Sequence, residues 1–424
     1  MTRRLPRLAS VLVALFCTTS AVMAGPLQDM IDAAPEGGTI KPPAGVYEEH
    51  IVIRKALELD GSNGVIIDGG GKDTVVTLAA DKSTLKGFTI RNSGRLHNAI
   101  DAGLRVQGSN NVIKDLVIEN TLFGIDVHQG DNNILRRNDI SSKDMPLELK
   151  GDSIRLWYSH ANHVEDNTIH ATRDFAVWYS HDNVIRHNSI HNTRYGVHFM
   201  YAHENTVENN DIADCVVGIF LMYSNDIKIT RNKLLRSWGA SGMGVGLKEA
   251  SGIRAFGNEI VGNAVGVFID LSPYDPDATN EFEQNQFAYN GIGVEFTTDW
   301  ESNVFKSNSF NANFTQIAVR GGGTALRETW DANYWDDFTG FDRDADGRGD
   351  SPFEIYSYAD RIWMENRAAN FFRGGFALEA LDFIERLAPF SEPKLLLQER
   401  GPLMQPPAVV AADKPKDALE MLLQ

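Results

Sequence analysis

Between about residues 100 and 320, apolar and variable positions alternate in short runs. Gly103-Leu104-Arg105-Val106, Gly124-Ile125-Asp126-Val127, Gly196-Val197-His198-Phe199, Gly218-Ile219-Phe220-Leu221, Gly244-Val245-Gly246-Leu247, Gly266-Val267-Phe268-Ile269 and Gly293-Val294-Glu295-Phe296 share the pattern. A period of two marks a strand with one buried face. A second block recurs between these runs, an Asn followed two residues later by an apolar residue. It stands at Asn138, Asn167, Asn188, Asn210, Asn232, Asn258, Asn285 and Asn308, 21 to 29 residues apart. Strands this short on that period leave no length for crossover helices, which excludes βαβ units and predicts a solenoid of short parallel strands. Asn suits the turns of such a coil because it tolerates the left-handed conformation and its amide can bond the identical amide one coil away.

Residues 25–335 are therefore read as an all-β domain, a parallel β-helix of roughly eleven coils and about 50 Å. Pro35 to Val46, with Gly37-Gly38-Thr39-Ile40 and Pro42-Pro43-Ala44-Gly45-Val46-Tyr47, resembles the opening coil of right-handed β-helix proteins. The handedness is what that resemblance implies. Leu27 to Ala34 predicts a short amphipathic helix that caps the open end of the apolar tube. Ahead of it, Arg3, Arg4 and Arg7, the apolar run Leu8 to Phe16 and Val22-Met23-Ala24 have the layout of a cleaved secretory signal over residues 1–24.

The repeat also stacks outward-facing side chains. Trp157-Tyr158-Ser159-His160, Trp178-Tyr179-Ser180-His181, Met200-Tyr201-Ala202-His203 and Met222-Tyr223-Ser224-Asn225 follow one another at the coil period. They predict a Trp/Trp/Met/Met row, a Tyr row and a His/His/His/Asn row. In Val197-His198-Phe199-Met200 the inward pair is Val197 and Phe199, so His198 and Met200 project together from the other face, with Met222 one coil on. His128 has a comparable outward place two coils earlier. Thioether and imidazole ligands at this spacing suit soft Cu(I), and His198, Met200, Met222, His203 and His181 are the candidate copper ligands. The structural alternative is a ladder that only stabilises neighbouring strands, with Met filling gaps. His170 and His191 are read as a separate turn ladder.

β-Helices also carry sugar chemistry, which needs carboxylates set for acid–base work or calcium, with basic residues beside a sugar acid. Arg155, Asp126 and Asp174 are the candidates for that reading. Of the ordered acidic and basic motifs of the polygalacturonases only Asp336-Asp337 is present.

After Gly321-Gly322-Gly323 the repeat breaks, and residues 336–373 are read as an Asp-rich loop ending the solenoid. Asp342, Asp344, Asp346 and Asp350 take positions 1, 3, 5 and 9 of a calcium loop around Gly347, but Phe353 stands where the bidentate Glu belongs. Calcium binding and an Asp-rich turn bonding its own backbone are both open. Residues 374–424 form a helical tail. Phe376, Leu378, Leu381, Phe383, Ile384 and Leu387 predict a one-sided helix stopped by Pro389 and Pro393. Leu395-Leu396-Leu397 is a second apolar patch, and Asp417 to Leu423 a last short helix. The first helix is expected to cap the tube, while Phe376, Leu381, Phe383, Ile384, Leu395, Leu396 and Leu397 are candidate partner-docking residues.

Charge and cysteine content narrow the chemistry further. With 57 acidic and 40 basic side chains among 424 residues the formal charge is −17, so nucleic acid is excluded as a partner. Cys17 lies in the leader and Cys215 is the only other cysteine. No internal disulfide is available, and a soft-metal site has to be built from Met and His.

The leader, the coil repeat with its Tyr-x-His rows, the segment from Asn333-Tyr334-Trp335-Asp336-Asp337 through the Asp-rich run to Pro352, and the helical tail together resemble the NosD family. These are the periplasmic β-helix proteins of the copper-site maturation system of nitrous oxide reductase. The resemblance covers essentially the whole mature chain. It implies a periplasmic, non-enzymatic partner of an ABC transporter made of a permease and an ATPase, touching the membrane only through that partner. It also implies transient handling of Cu(I) delivered by a lipoprotein copper chaperone and passed to nitrous oxide reductase. It transfers no ligand motif residue by residue, so the copper ligands rest on the outer stripe alone. A sugar-binding or sugar-cleaving protein, and a metal-free scaffold for reductase and transporter, are the alternatives.

Overall fold

The computed structural model describes residues 26–372, 374–390 and 392–408. The leader at 1–24 and the short helix expected at 417–423 lie outside the described residues. Three parallel sheets wind around one apolar core, two of 13 strands and one of 12. The solenoid thus has 13 coils rather than eleven, a length of about 60 Å at the usual strand spacing. The early coils explain the shortfall. Gly38 pairs with Leu57, an advance of 19 residues, shorter than any step in the Asn series.

The alternation holds where it was read. In the 12-strand sheet Val197, Phe199, Ile219, Leu221, Val245 and Leu247 are at most 1% exposed and line the tube. Burying each such side chain contributes about 1.5–3 kcal/mol, and Cys215 is a buried free thiol, so packing rather than cross-linking holds the coils.

The turns show how the Asn repeat works, with one correction. The left-handed residue is the one before each Asn: Arg137, Asp166, His187, Asn209 and Arg231 have φ of 52° to 57°. The Asn itself is buried and serves as a connector. Asn188 Nδ2 donates to Asn210 Oδ1 and to Val164 O, both at 2.9 Å, while its Oδ1 accepts the backbone and side-chain N–H of Asn167 at 3.0 and 2.9 Å. Further ladders, missed in the sequence, run through Asn133, Asn162, Asn183 and Asn205 and through Asn263, Asn290 and Asn313. Their signal was a second Asn five positions before or after the first.

Two ladders end on a carboxylate that takes the place of the next amide. Glu328 accepts from Asn303 N and Nδ2 at 2.7 and 3.2 Å. Glu399 accepts from Asn333 N and Nδ2 at 2.7 and 3.3 Å and from Trp335 Nε1 at 2.7 Å. Burial pushes the Glu328 carboxyl up to about 7 and raises that of Glu399.

The two tube ends are closed differently. At the N-terminus the helix Pro26–Ala33 buries Leu27 and Ile31, and the Glu49 carboxylate accepts the N–H groups of Leu27 and Gln28 at 3.0 and 3.1 Å, where a helix favours an anion. At the C-terminus a hairpin closes the tube: Phe353–Ser357 pairs antiparallel with Lys394–Glu399. Trp335 stacks between Phe310 and Phe353 at 4.2 and 4.7 Å. Leu396 and Leu397 are buried, 3% and 0% exposed, which removes them from the docking patch: the chain returns here as an edge strand with Leu397 in the tube core and Leu396 in a separate cluster with Trp363 and Met364.

The helix Phe376–Leu387 forms as expected but does not cap the tube with its apolar face. It packs through Leu378 and through Glu385, which pairs with Arg361 at 2.9 Å. Phe376, Phe383, Ile384 and Leu387 stay exposed. No described helix is long and apolar enough to cross a membrane.

Candidate functional site

Strand register sets two rows on the outer face of the 12-strand sheet. Arg105, Asp126, Arg155, Ala176, His198 and Phe220 align in one. Two residues further along each strand, His128, Trp157, Trp178, Met200 and Met222 align in the other, which is the Trp/Trp/Met/Met row read from the repeat. His128 thus starts the methionine row, one coil further from Met200 than expected.

His198 stands where the rows meet. It points away from the tube core yet is only 6% exposed, because the rings of Trp178, Tyr195 and Phe220 lie 5.8, 4.8 and 6.0 Å from its own. Its Nε2 is 3.3 Å from Met222 Sδ, and its Nδ1 is buried without a hydrogen-bond partner. Buried polar atoms are nearly always paired, and an orphan costs about 1–3 kcal/mol. Burial pulls the His198 pKa down to about 4, so the ring is neutral near pH 7, the form that ligates a metal. Met200 is in register with Met222 on the next strand. An imidazole nitrogen and a thioether this close would both reach one soft metal ion placed between them.

His181 and His203 are not part of this cluster. His160, His181 and His203 stack in the following turn with centroids 5.1 Å apart and planes 12° apart. Each Nδ1 accepts a backbone N–H from the next coil, His181 N at 3.1 Å, His203 N at 3.0 Å and Asn225 N at 3.0 Å. A neutral ring whose Nδ1 accepts carries its proton on Nε2 and offers a metal no lone pair. The two residues are coil connectors, which corrects their place among the ligands. Tyr158, Tyr179, Tyr201 and Tyr223 stack beside them at 4.9 to 5.4 Å. His170 and His191 pair in register as a turn ladder, with ring nitrogens 3.1 Å from Asp139 and 2.6 Å from Ser189.

Residues 138–340 match the family model described as NosD, periplasmic copper-binding protein. A Pseudomonas aeruginosa protein named probable ABC transporter binding protein NosD is 34% identical over 95% of this chain and 96% of its own length. The chain belongs to the NosD family. A Stutzerimonas stutzeri protein of the same name is 28% identical over 30% of the chain and 29% of its own. Among solved structures, the A-modules of the Azotobacter vinelandii mannuronan C-5 epimerases AlgE6 and AlgE4 superpose on this NosD-family chain with TM-scores of 0.58 and 0.57. They are 18% and 17% identical to it and cover 73% and 72% of it, with 94% of each module matched. At that identity the likeness is one of fold.

The carboxylates weighed for sugar chemistry are tied up in this NosD-family chain. Asp126 gives one oxygen to Arg105 at 3.1 Å and the other to Arg155 at 3.2 Å. Asp174 is held by Arg194 through both oxygens and by Arg173 at 3.5 Å. Neither offers a free oxygen to a sugar; both clamp neighbouring coils.

In the Asp-rich loop, Asp342, Asp344 and Asp350 each bring one oxygen within 4.8 Å of the others, and Asp346 stands outside that group. Asp342 accepts the N–H of Asp346 and Gly347, Asp350 that of Arg343, and Asp346 that of Arg348. The loop is built as an Asp turn whatever cation joins it.

Proposed function

We propose that this protein works in the periplasm as a copper-binding partner of an ABC transporter, with Cu(I) as cargo held by His198, Met200 and Met222. The observation that carries the reading is His198: buried, neutral, one ring nitrogen against Met222 Sδ and the other unpartnered. A neutral imidazole with two thioethers and no carboxylate in the cluster favours a soft monovalent metal over Ca²⁺, Mg²⁺ or Mn²⁺. The family description as periplasmic and copper-binding, and the relative's name as a transporter binding protein, support the same role.

The protein acts without catalysing a reaction. It docks on the permease and ATPase, takes Cu(I) from a lipoprotein chaperone and passes it to nitrous oxide reductase. Docking uses the apolar side chains left outside the tube, Phe376, Phe383 and Ile384 with the half-buried Leu381, which form a patch of the kind that marks an interface. Calcium binds the Asp342, Asp344 and Asp350 loop weakly.

Anaerobic Cu(I) titration against a bicinchoninate-type competitor tests the copper site. One equivalent is expected to bind, and the triple variant His198→Ala, Met200→Ala, Met222→Ala to bind at least about 100-fold more weakly. Unchanged affinity in that variant removes the site and leaves a metal-free scaffold. For docking, deletion after Ser391 is a poor probe because it removes the strand that closes the tube. Phe376→Glu with Phe383→Glu spares that strand and is expected to abolish co-purification with the permease.

A further inference from the structure

We propose that the indole of Trp178 is the lid of this site, a cation–π face against the metal held by His198, Met200 and Met222 that selects a bare monovalent cation over a hydrated divalent one. The inference rests on the copper reading and adds a residue to it.

Trp178 directly precedes Met200 in the methionine row, its backbone one strand spacing away, and its ring meets that of His198 edge to face at 88°. It therefore touches the imidazole and stands in register beside Met200. Its Nε1 is buried with no hydrogen-bond partner. A buried Trp ordinarily uses that N–H, so hydrogen bonding is not what places this ring. Packing does: Trp157 lies 5.9 Å away at 64° on the other side.

The same row already holds one cation against an indole. The Arg155 guanidinium, itself 8% exposed and paired to Asp126, sits 4.4 Å from the Trp157 ring and 5.9 Å from that of Trp178. Trp157 thus has its cation in the protein, whereas Trp178, further from that guanidinium, packs against the His198 imidazole. With Tyr195 and Phe220 also packed on it, His198 is walled by aromatic rings, while Met200 and Met222 are half-buried beside it. On the His198 side such walls crowd out the water ligands that hard divalent ions retain, while a soft cation stripped of water gains from a π face.

The test is anaerobic titration of the full-length protein with Cu(I) and with redox-inert Ag(I), reading competitor absorbance for affinity and indole emission for contact. Emission is expected to be quenched with saturation at one equivalent. Trp178→Leu should lose most of that quenching and bind about 5- to 30-fold more weakly. Trp178→Phe, which keeps an aromatic face, should fall between, and Trp157→Leu should keep both affinity and quenching. Melting curves of Trp178→Phe and Trp178→Leu against the parent show that folding is retained. Parent-like affinity and quenching in Trp178→Leu would overturn the lid while leaving the copper site standing. Absence of Cu(I) binding in the parent would overturn both.

Discussion

Asn188 and His198 lie ten residues apart, are 1% and 6% exposed, and each belongs to a row repeated from coil to coil. The amide of Asn188 is saturated, with hydrogen bonds to Asn167, Asn210 and Val164. His198 is as deeply placed but keeps one nitrogen on a thioether and the other on nothing. One coil period makes both rows, so repetition alone does not separate architecture from chemistry. Completeness of pairing does. A satisfied row returns its desolvation cost as structure, whereas an unsatisfied site persists at a loss that packing or a ligand has to offset.

The largest effect is expected from the satisfied side. Asn188→Leu strips acceptors from the N–H and Nδ2 of Asn167 and a donor from Val164 O, all buried. Two to three orphaned groups cost about 4 kcal/mol together, which thermal melting will show, with Cu(I) affinity unchanged. A parent-like melting curve would make the ladder ornamental and break the contrast.

Next comes the ladder end at Glu328, where the sign of the pH dependence is fixed. Its pKa is raised from 4.5 to about 7 by burial, so between those values the folded state holds the extra proton. The contribution is full below about 4.5 and is lost as pH rises through about 7, at most about 3 kcal/mol. Glu328→Gln should flatten the melting-temperature profile across that window and melt above the parent at pH 8. An unaltered profile would show that Glu328 is not the titrating group.

The fold was legible because its two signals are local and repeated, alternation for the strands and Asn for the turns. The coil count fell short because the early coils carry other residues at the position of the Asn series, Leu116 one coil before Asn138, and advance by as few as 19 residues. The tail misled for a physical reason. Leu395-Leu396-Leu397 has no helical period and reads as a loose patch, but opposite Phe353–Ser357 it is an edge strand that buries two of the three. Phe376 to Leu387 has a helical period, and its apolar face was assigned to the tube because nothing local says which surface a helix meets. At the candidate site, the pattern put His198, Met200 and Met222 on one outer face, where the register places them. It also drew in His181 and His203, since only hydrogen-bond direction distinguishes an imidazole that accepts a backbone N–H from one that has no partner. Trp178 was seen as a ladder member and not as a wall of the site.

The two histidine sets give a smaller and more discriminating test. His181→Ala orphans the backbone N–H of His203 and should cost about 1 kcal/mol in stability without touching Cu(I) affinity. His198→Leu should do the reverse, abolishing tight Cu(I) binding while leaving the melting temperature equal or slightly higher, because a buried orphan is removed. Equal effects of the two substitutions on copper would erase the distinction between satisfied and unsatisfied rows.

The smallest effect is expected where pairing is only half complete. In the Asp-rich loop Asp342, Asp344 and Asp350 all accept backbone N–H groups, that of Asp344 the longest at 3.4 Å, and Asp344 has its pKa raised by its neighbour Asp346, the repulsion a cation would relieve. Two exposed carboxylates and a half-buried one without a bidentate Glu place Ca²⁺ binding in the weak range of extracellular modules, a Kd of about 10⁻³ M. On chelator-stripped protein, calorimetry should show that weak heat and melting should rise by no more than a degree or two at saturating Ca²⁺. Asp344→Asn should remove the heat without lowering the melting temperature of the calcium-free protein. No heat in the parent would assign the loop to the satisfied class, a turn whose carboxylates serve only its own backbone.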